Sequence, residues 1–72
     1  MTRADVFAFI WSQPTRSCKA NALLQKFGVI VIQALSDLIE LGMVYEYQRS
    51  DSGTYEKYRQ QIQMFGVCQR WQ

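Results

Sequence analysis

Asp37 and Glu40 are the one carboxylate pair spaced for acid–base work on a helix, and Ser36 beside them is the one serine placed to act as a nucleophile. Carboxylates three apart share a helical face. To exchange protons with a substrate, however, they need a cleft, and this spacing puts them on an exposed face. Ser36 lacks a base, because the chain contains no histidine. That absence removes the commonest general base, the commonest zinc ligand and the usual pH switch. Cys18 and Cys68 are far apart and outside any CxxC motif, so they predict two reduced thiols rather than a metal cage or a disulfide framework. No glycine-rich phosphate loop is present. The sequence therefore predicts no catalytic residue, no metal and no cofactor. What remains is the chemistry of surface recognition.

The charge pattern bears on that chemistry. The formal net charge is only +2, but it is unevenly spread. Residues 1–28 carry Arg3, Arg16, Lys19 and Lys26 against Asp5, whereas residues 29–48 carry only Asp37, Glu40 and Glu46. Residues 49–72 are basic again, with Arg49, Lys57, Arg59 and Arg70 against Asp51 and Glu56. The middle of the chain is thus acidic between two basic flanks.

Hydrophobic spacing sets the elements that carry these groups. A first helix is expected from Thr2 to about Gln13: Thr2 and Asp5 form a capping-box start, and Pro14 ends it. Thr15 to Cys18 read as a short extended link. A second helix runs from Lys19 or Ala20 to Phe27 with Leu23, Leu24 and Phe27 as its buried stripe, and Gly28 stops it. A third runs from Val29 or Ile30 to Leu41, with Val31, Leu35 and Leu38 on one face. Gly42 is placed for a left-handed stop, with Met43 closing back on Leu38. From Val44 the period changes to two. This predicts a strand to about Arg49, a turn at Ser50 to Gly53, and a returning strand from Thr54 to about Gln60. The reading is one α+β domain, mostly helical, over residues 1–60. Residues 61–72 form an extension that is strand, short helix or dimer contact.

The stretch from Lys19 to Gly28, KANALLQKFG, resembles the second helix of winged helix-turn-helix regulators. Leu35 to Val44, LSDLIELGMV, is similar to the end of their third helix, a Leu-x-x-Leu-x-x-x-Gly-Leu-Val pattern. Thr54 to Arg59, TYEKYR, matches their habit of aromatic residues on the returning wing strand. The resemblance covers about residues 2–60 and is to small prokaryotic, phage or plasmid regulators. It implies a winged helix-turn-helix of three helices plus a β-hairpin wing, binding double-stranded DNA as a homodimer and regulating transcription. Gln33 and Ser36 would then lie nearest the bases, with Lys19, Lys26, Arg49, Lys57 and Arg59 on phosphates. The chain departs from the pattern in two ways. The turn between the second and third helices is short, and the third helix is apolar and acidic where DNA-reading helices usually present polar and basic side chains.

That departure leaves two readings of the apolar surplus. A compact domain could bury Ile30 and Ile32 under the first two helices. Alternatively Phe7, Trp11, Ile30, Ile32, Phe65 and Trp71 are covered by a second subunit or another protein. A second subunit there fits the DNA-binding homodimer; another protein there makes the chain an interaction module that docks through its third helix and does not bind DNA. The early charge at Asp5 and the short apolar runs predict neither a secretory signal nor a membrane span, and hence a cytoplasmic protein.

Overall fold

The computed structural model describes residues 2–50 and 61–72. Within them the order is α1 (Arg3–Trp11), β1 (Ser17–Lys19), α2 (Ala20–Phe27), α3 (Val31–Glu40), β2 (Val44–Ser50) and β3 (Gln61–Val67), followed by a 3-10 turn at Gln69–Trp71. The architecture is α+β: three helices and a three-stranded antiparallel sheet among the described residues.

Each helix boundary has a local cause. Thr2 caps α1 in a reciprocal box: its backbone N–H donates to the Asp5 carboxylate at 2.9 Å, and its hydroxyl accepts from the Asp5 N–H at 3.3 Å. α1 ends at Trp11, before the residue next to Pro14. There Ser12 Oγ and Gln13 Nε2 donate to the Phe9 carbonyl at 2.7 and 3.1 Å, while the Gln13 N–H tightens to Ile10. Gly28, which ends α2, holds φ 84° and ψ −178°, a region essentially restricted to glycine. α3 therefore starts only at Val31. It closes at Gly42 (φ 75°), whose N–H bonds Ile39 while the Met43 N–H bonds Leu38 at 3.0 Å, the paired bonds of a Schellman stop.

The sheet order is β1–β3–β2. β3 is the middle strand, with Val44 opposite Val67 and Ser50 opposite Gln61 on one side and Cys18 opposite Phe65 on the other. The strand expected at residues 54–60, and the turn at 51–53, lie outside the described residues. Among the described residues the partner of β2 is Gln61–Val67. Residues 61–67 are thus built into the sheet, and the chain after β3 is tied down as well. The Val67 N–H bonds the Arg16 carbonyl and the Cys68 N–H bonds the Met43 carbonyl, both at 2.9 Å.

The core lies between the inner sheet face and the helices. Val6 and Ile10 of α1, Leu23 of α2 and Leu38 of α3 meet Val44 and Val67, all essentially inaccessible to solvent. Gly66 leaves room for a neighbouring ring. A Cβ there would come within 3.0 Å of the Tyr45 ring, which lies over the outer face of β3. No helix of the described residues is long and apolar enough to cross a membrane.

Candidate functional site

Burial of Val31, Ala34, Leu35 and Leu38 fixes how α3 is rotated. With four residues facing the core, the 3.6-residue repeat turns Gln33, Ser36 and Glu40 directly outward, and all three are exposed. Asp37 is rotated toward α1. Its carboxylate accepts from Gln33 Nε2 at 3.1 Å and stands 4.0 Å from the Arg3 guanidinium. The outermost surface of α3 is therefore polar, with Glu40 a carboxylate that pairs with no cation among the described residues. One Gln33 N–H is already engaged.

The other flank of α3 is apolar. Ile32 and Ile39 border a groove of about 400 Å³ between α3, α2 and the inner sheet face, with Leu24 on the α2 wall and Phe65 contributing to its lining. Glu40 stands on its helix wall and Glu46 on its sheet wall. Among the described residues these are the charged side chains that line it. The apolar walls are solvent-accessible: Ile32 is 59% exposed and Ile39 38%.

The outer sheet face has the opposite character. Strand alternation and register place Tyr45, Tyr47 and Arg49 of β2 beside Gly66, Met64 and Ile62 of β3, with Lys19 of β1 across from Met64. Tyr45 and Tyr47 stack on each other with centroids 5.3 Å apart. The sheet thus separates a cationic, aromatic outer face from the acidic, apolar groove.

The residues predicted to touch DNA fall on three surfaces. Gln33 and Ser36 share the outward face of α3, and Lys19 and Arg49 share the outer sheet face. Lys26 is held 5.1 Å above the Phe9 ring and 5.8 Å from that of Phe27. Lys57 and Arg59 lie outside the described residues. The predicted contact residues divide as well. Ile30 is 62% exposed at the start of α3, so with Ile32 it is not covered by the first two helices. Phe7 and Trp11 are half-buried and stack on each other, and Trp71 packs edge-on against Phe7 at 6.1 Å. Phe65, expected as a dimer or partner contact, is instead 6% exposed on the middle strand. Its register opposite Cys18 and Glu46 turns it inward, away from any tail surface.

The groove lining was not read from the sequence as a group. The signal for Glu46 was present, because alternation puts it on the same sheet face as Val44, but its opposite wall depends on how α3 is rotated. Among the described residues no three histidine, cysteine or carboxylate side chains cluster to hold a metal ion. Burial pushes the Cys18 thiol up to about 11, which keeps it protonated at neutral pH. Searches of family models, curated proteins and solved structures find no match to the chain.

Proposed function

We propose that the chain is a winged helix-turn-helix domain that binds duplex DNA and acts as a small regulator of transcription in the cytoplasm. The observation that carries the reading is the arrangement α1–β1–α2–α3–β2–β3 with β3 in the middle of the sheet. It leaves the outward face of α3, with Gln33 and Ser36, uncovered at the surface. A helix lying in the major groove is flanked by two phosphate backbones, so cations on neighbouring elements can help to anchor it. Lys19, Lys26 and Arg49 are off α3 in that sense. Partial compensation of Asp37 by Arg3 also reduces the acidity the helix presents. Exposed Val29, Ile30 and Ile32 supply surface for a homodimer.

The test is salt-dependent binding of the full chain to random-sequence duplex. Binding at about 50 mM salt, weakening with a slope of about one for each phosphate neutralised, supports the reading. Indifference to duplex at that salt removes it.

A second reading is favoured by one observation, the apolar groove with Glu40 and Glu46 on its walls. A protein partner suits that surface better than a phosphate backbone does. Under this reading the domain is a docking module that does not bind DNA.

A further inference from the structure

The groove between α3, α2 and the sheet combines two features that together specify an occupant. Its floor and walls are apolar, with Phe65 and Leu35 below and Leu24, Ile32 and Ile39 on the sides. Glu40 and Glu46 stand on opposite walls, one on the helix and one on the sheet, so an occupant passes between two carboxylates. An apolar stripe with positive charge on only one side would satisfy half of this.

We infer that the groove is the docking site for a basic amphipathic helix of another protein, its apolar stripe seated on Leu24, Ile32 and Ile39 and its Lys or Arg residues on both flanks meeting Glu40 and Glu46. The inference rests on the protein-docking part of the second reading and holds whether or not the chain also binds DNA. Helix-in-groove recognition uses apolar anchors at i, i+3, i+4 and i+7, and α3 itself, ten residues long, is a wall of matching length. A second copy of the same chain is a poorer occupant. In a two-fold symmetric pair built on this groove, the same patch faces itself. Glu40 and Glu46 of one copy would then confront those of the other, and like charges brought together oppose association.

Occupancy would also reach the DNA question, because Ser36 lines the groove and belongs to the outward face of α3 as well. A helix seated there covers part of the surface that would approach bases, so the two ligands compete.

The experiment uses the full chain and two synthetic helical peptides of one design, each with a leucine stripe, flanked on both sides by lysines in one and by glutamates in the other. Binding is followed by backbone amide shifts and by fluorescence anisotropy. The basic peptide should shift the amides of Ile32, Ile39 and Gln63, and salt should weaken it. The charge-reversed double variant Glu40→Lys/Glu46→Lys, both at exposed positions, should turn the preference toward the acidic peptide by about tenfold, the scale of two exposed ion pairs. Urea melts of the variant establish that it is folded. Equal binding of both peptides in the groove would overturn charge selection while leaving protein docking in place. Shifts confined to other faces, or no binding of either peptide, would overturn the inference entirely. So would self-association of the chain through the groove.

Discussion

Phe65→Ala and Trp71→Ala test whether the C-terminal stretch is core or contact surface. Phe65 is 6% exposed on the middle strand, between the rows of Cys18 and Glu46. Truncating a buried phenylalanine to alanine costs about 3–5 kcal/mol, part in lost transfer energy and part in the cavity left behind. Here the ring contributes to the lining of the groove, so the space vacated opens to water instead of remaining an enclosed void. That places the cost near the lower end, about 3 kcal/mol. A chain of this length has about 4–11 kcal/mol of total stability, so the variant stays mostly folded even at the lower end of that range, with about 1 kcal/mol left. Trp71 is 43% exposed and makes one edge-on contact with Phe7. An aromatic pair of that kind contributes about 0.5–1.5 kcal/mol beyond area burial, and about 1–2 kcal/mol is expected for Trp71→Ala.

The assay is urea unfolding followed by far-ultraviolet circular dichroism at two protein concentrations, so that any coupling to self-association shows as a concentration-dependent midpoint. For a domain of this size each kcal/mol moves the melting temperature by about 4–8 °C, so Phe65→Ala should melt at least about 12 °C below the parent chain. A cost below about 1 kcal/mol for Phe65→Ala, or a larger cost for Trp71→Ala than for Phe65→Ala, would refute the placement of β3 in the core.

Under the DNA reading, Arg49→Ala and Lys19→Ala should each flatten the salt dependence of duplex binding by about one charge and weaken all sequences alike. Gln33→Ala should cost about 1–3 kcal/mol at a preferred site and much less elsewhere, read by competition with random duplex. The pH dependence of folding follows from the capping box. The backbone hydrogen bond from Thr2, then the Thr2 hydroxyl, hold the Asp5 carboxyl below its ordinary value of 3.8. A depressed folded value means a contribution fully present above the ordinary value and lost as pH falls through the folded one. Chemical denaturation at pH 6 and in the acid range below 3.8 should therefore show a loss that Asp5→Asn lacks. Thiol labelling should separate the cysteines. Iodoacetamide should reach half-buried Cys68 in the folded chain, whereas buried Cys18, its thiol pushed up to about 11, should react only on unfolding.

Local signals in the sequence located the helices because each stop is made by neighbouring residues: Thr2 with Asp5, Gly28, and Gly42 with Met43 bonding back to Leu38. The start of α3 was placed up to two residues early, since the apolar run from Val29 to Ile32 looks helical while Gly28 holds the chain extended. β3 was harder to read for a physical reason. Its inner residues Phe65 and Val67 alternate with Met64 and Gly66, but those two are also buried, and Gln61 and Gln63 fall on the inner side. A middle strand covered on both faces at one end and polar at the other has no clean period of two. The predicted site residues could be listed from types alone, but which of them share a surface depends on strand register and on the rotation of α3. The rotation of α3 follows from the spacing of Val31, Leu35 and Leu38, but the strand register is not encoded in local spacing.

The division of charge by the sheet decides which of the two readings each surface can serve. Adjacent residues on β2 point to opposite faces, so Glu46 goes to the groove while Tyr45, Tyr47 and Arg49 go outward with Lys19. One register thus produces both the acidic, apolar groove and the cationic, aromatic face. A duplex read by Gln33 and Ser36 approaches the outward face of α3, away from the sheet face that carries Lys19 and Arg49, whereas a basic helix drawn to Glu40 and Glu46 enters from the groove. The two approaches overlap at Ser36 and Glu40, which belong to both surfaces. Neutralising Glu40 alone therefore separates them: Glu40→Gln should strengthen duplex binding by easing phosphate repulsion and weaken a basic peptide in the same protein. A change in the same direction for both ligands would mean that they do not meet at that residue, and the competition between them would have to be abandoned.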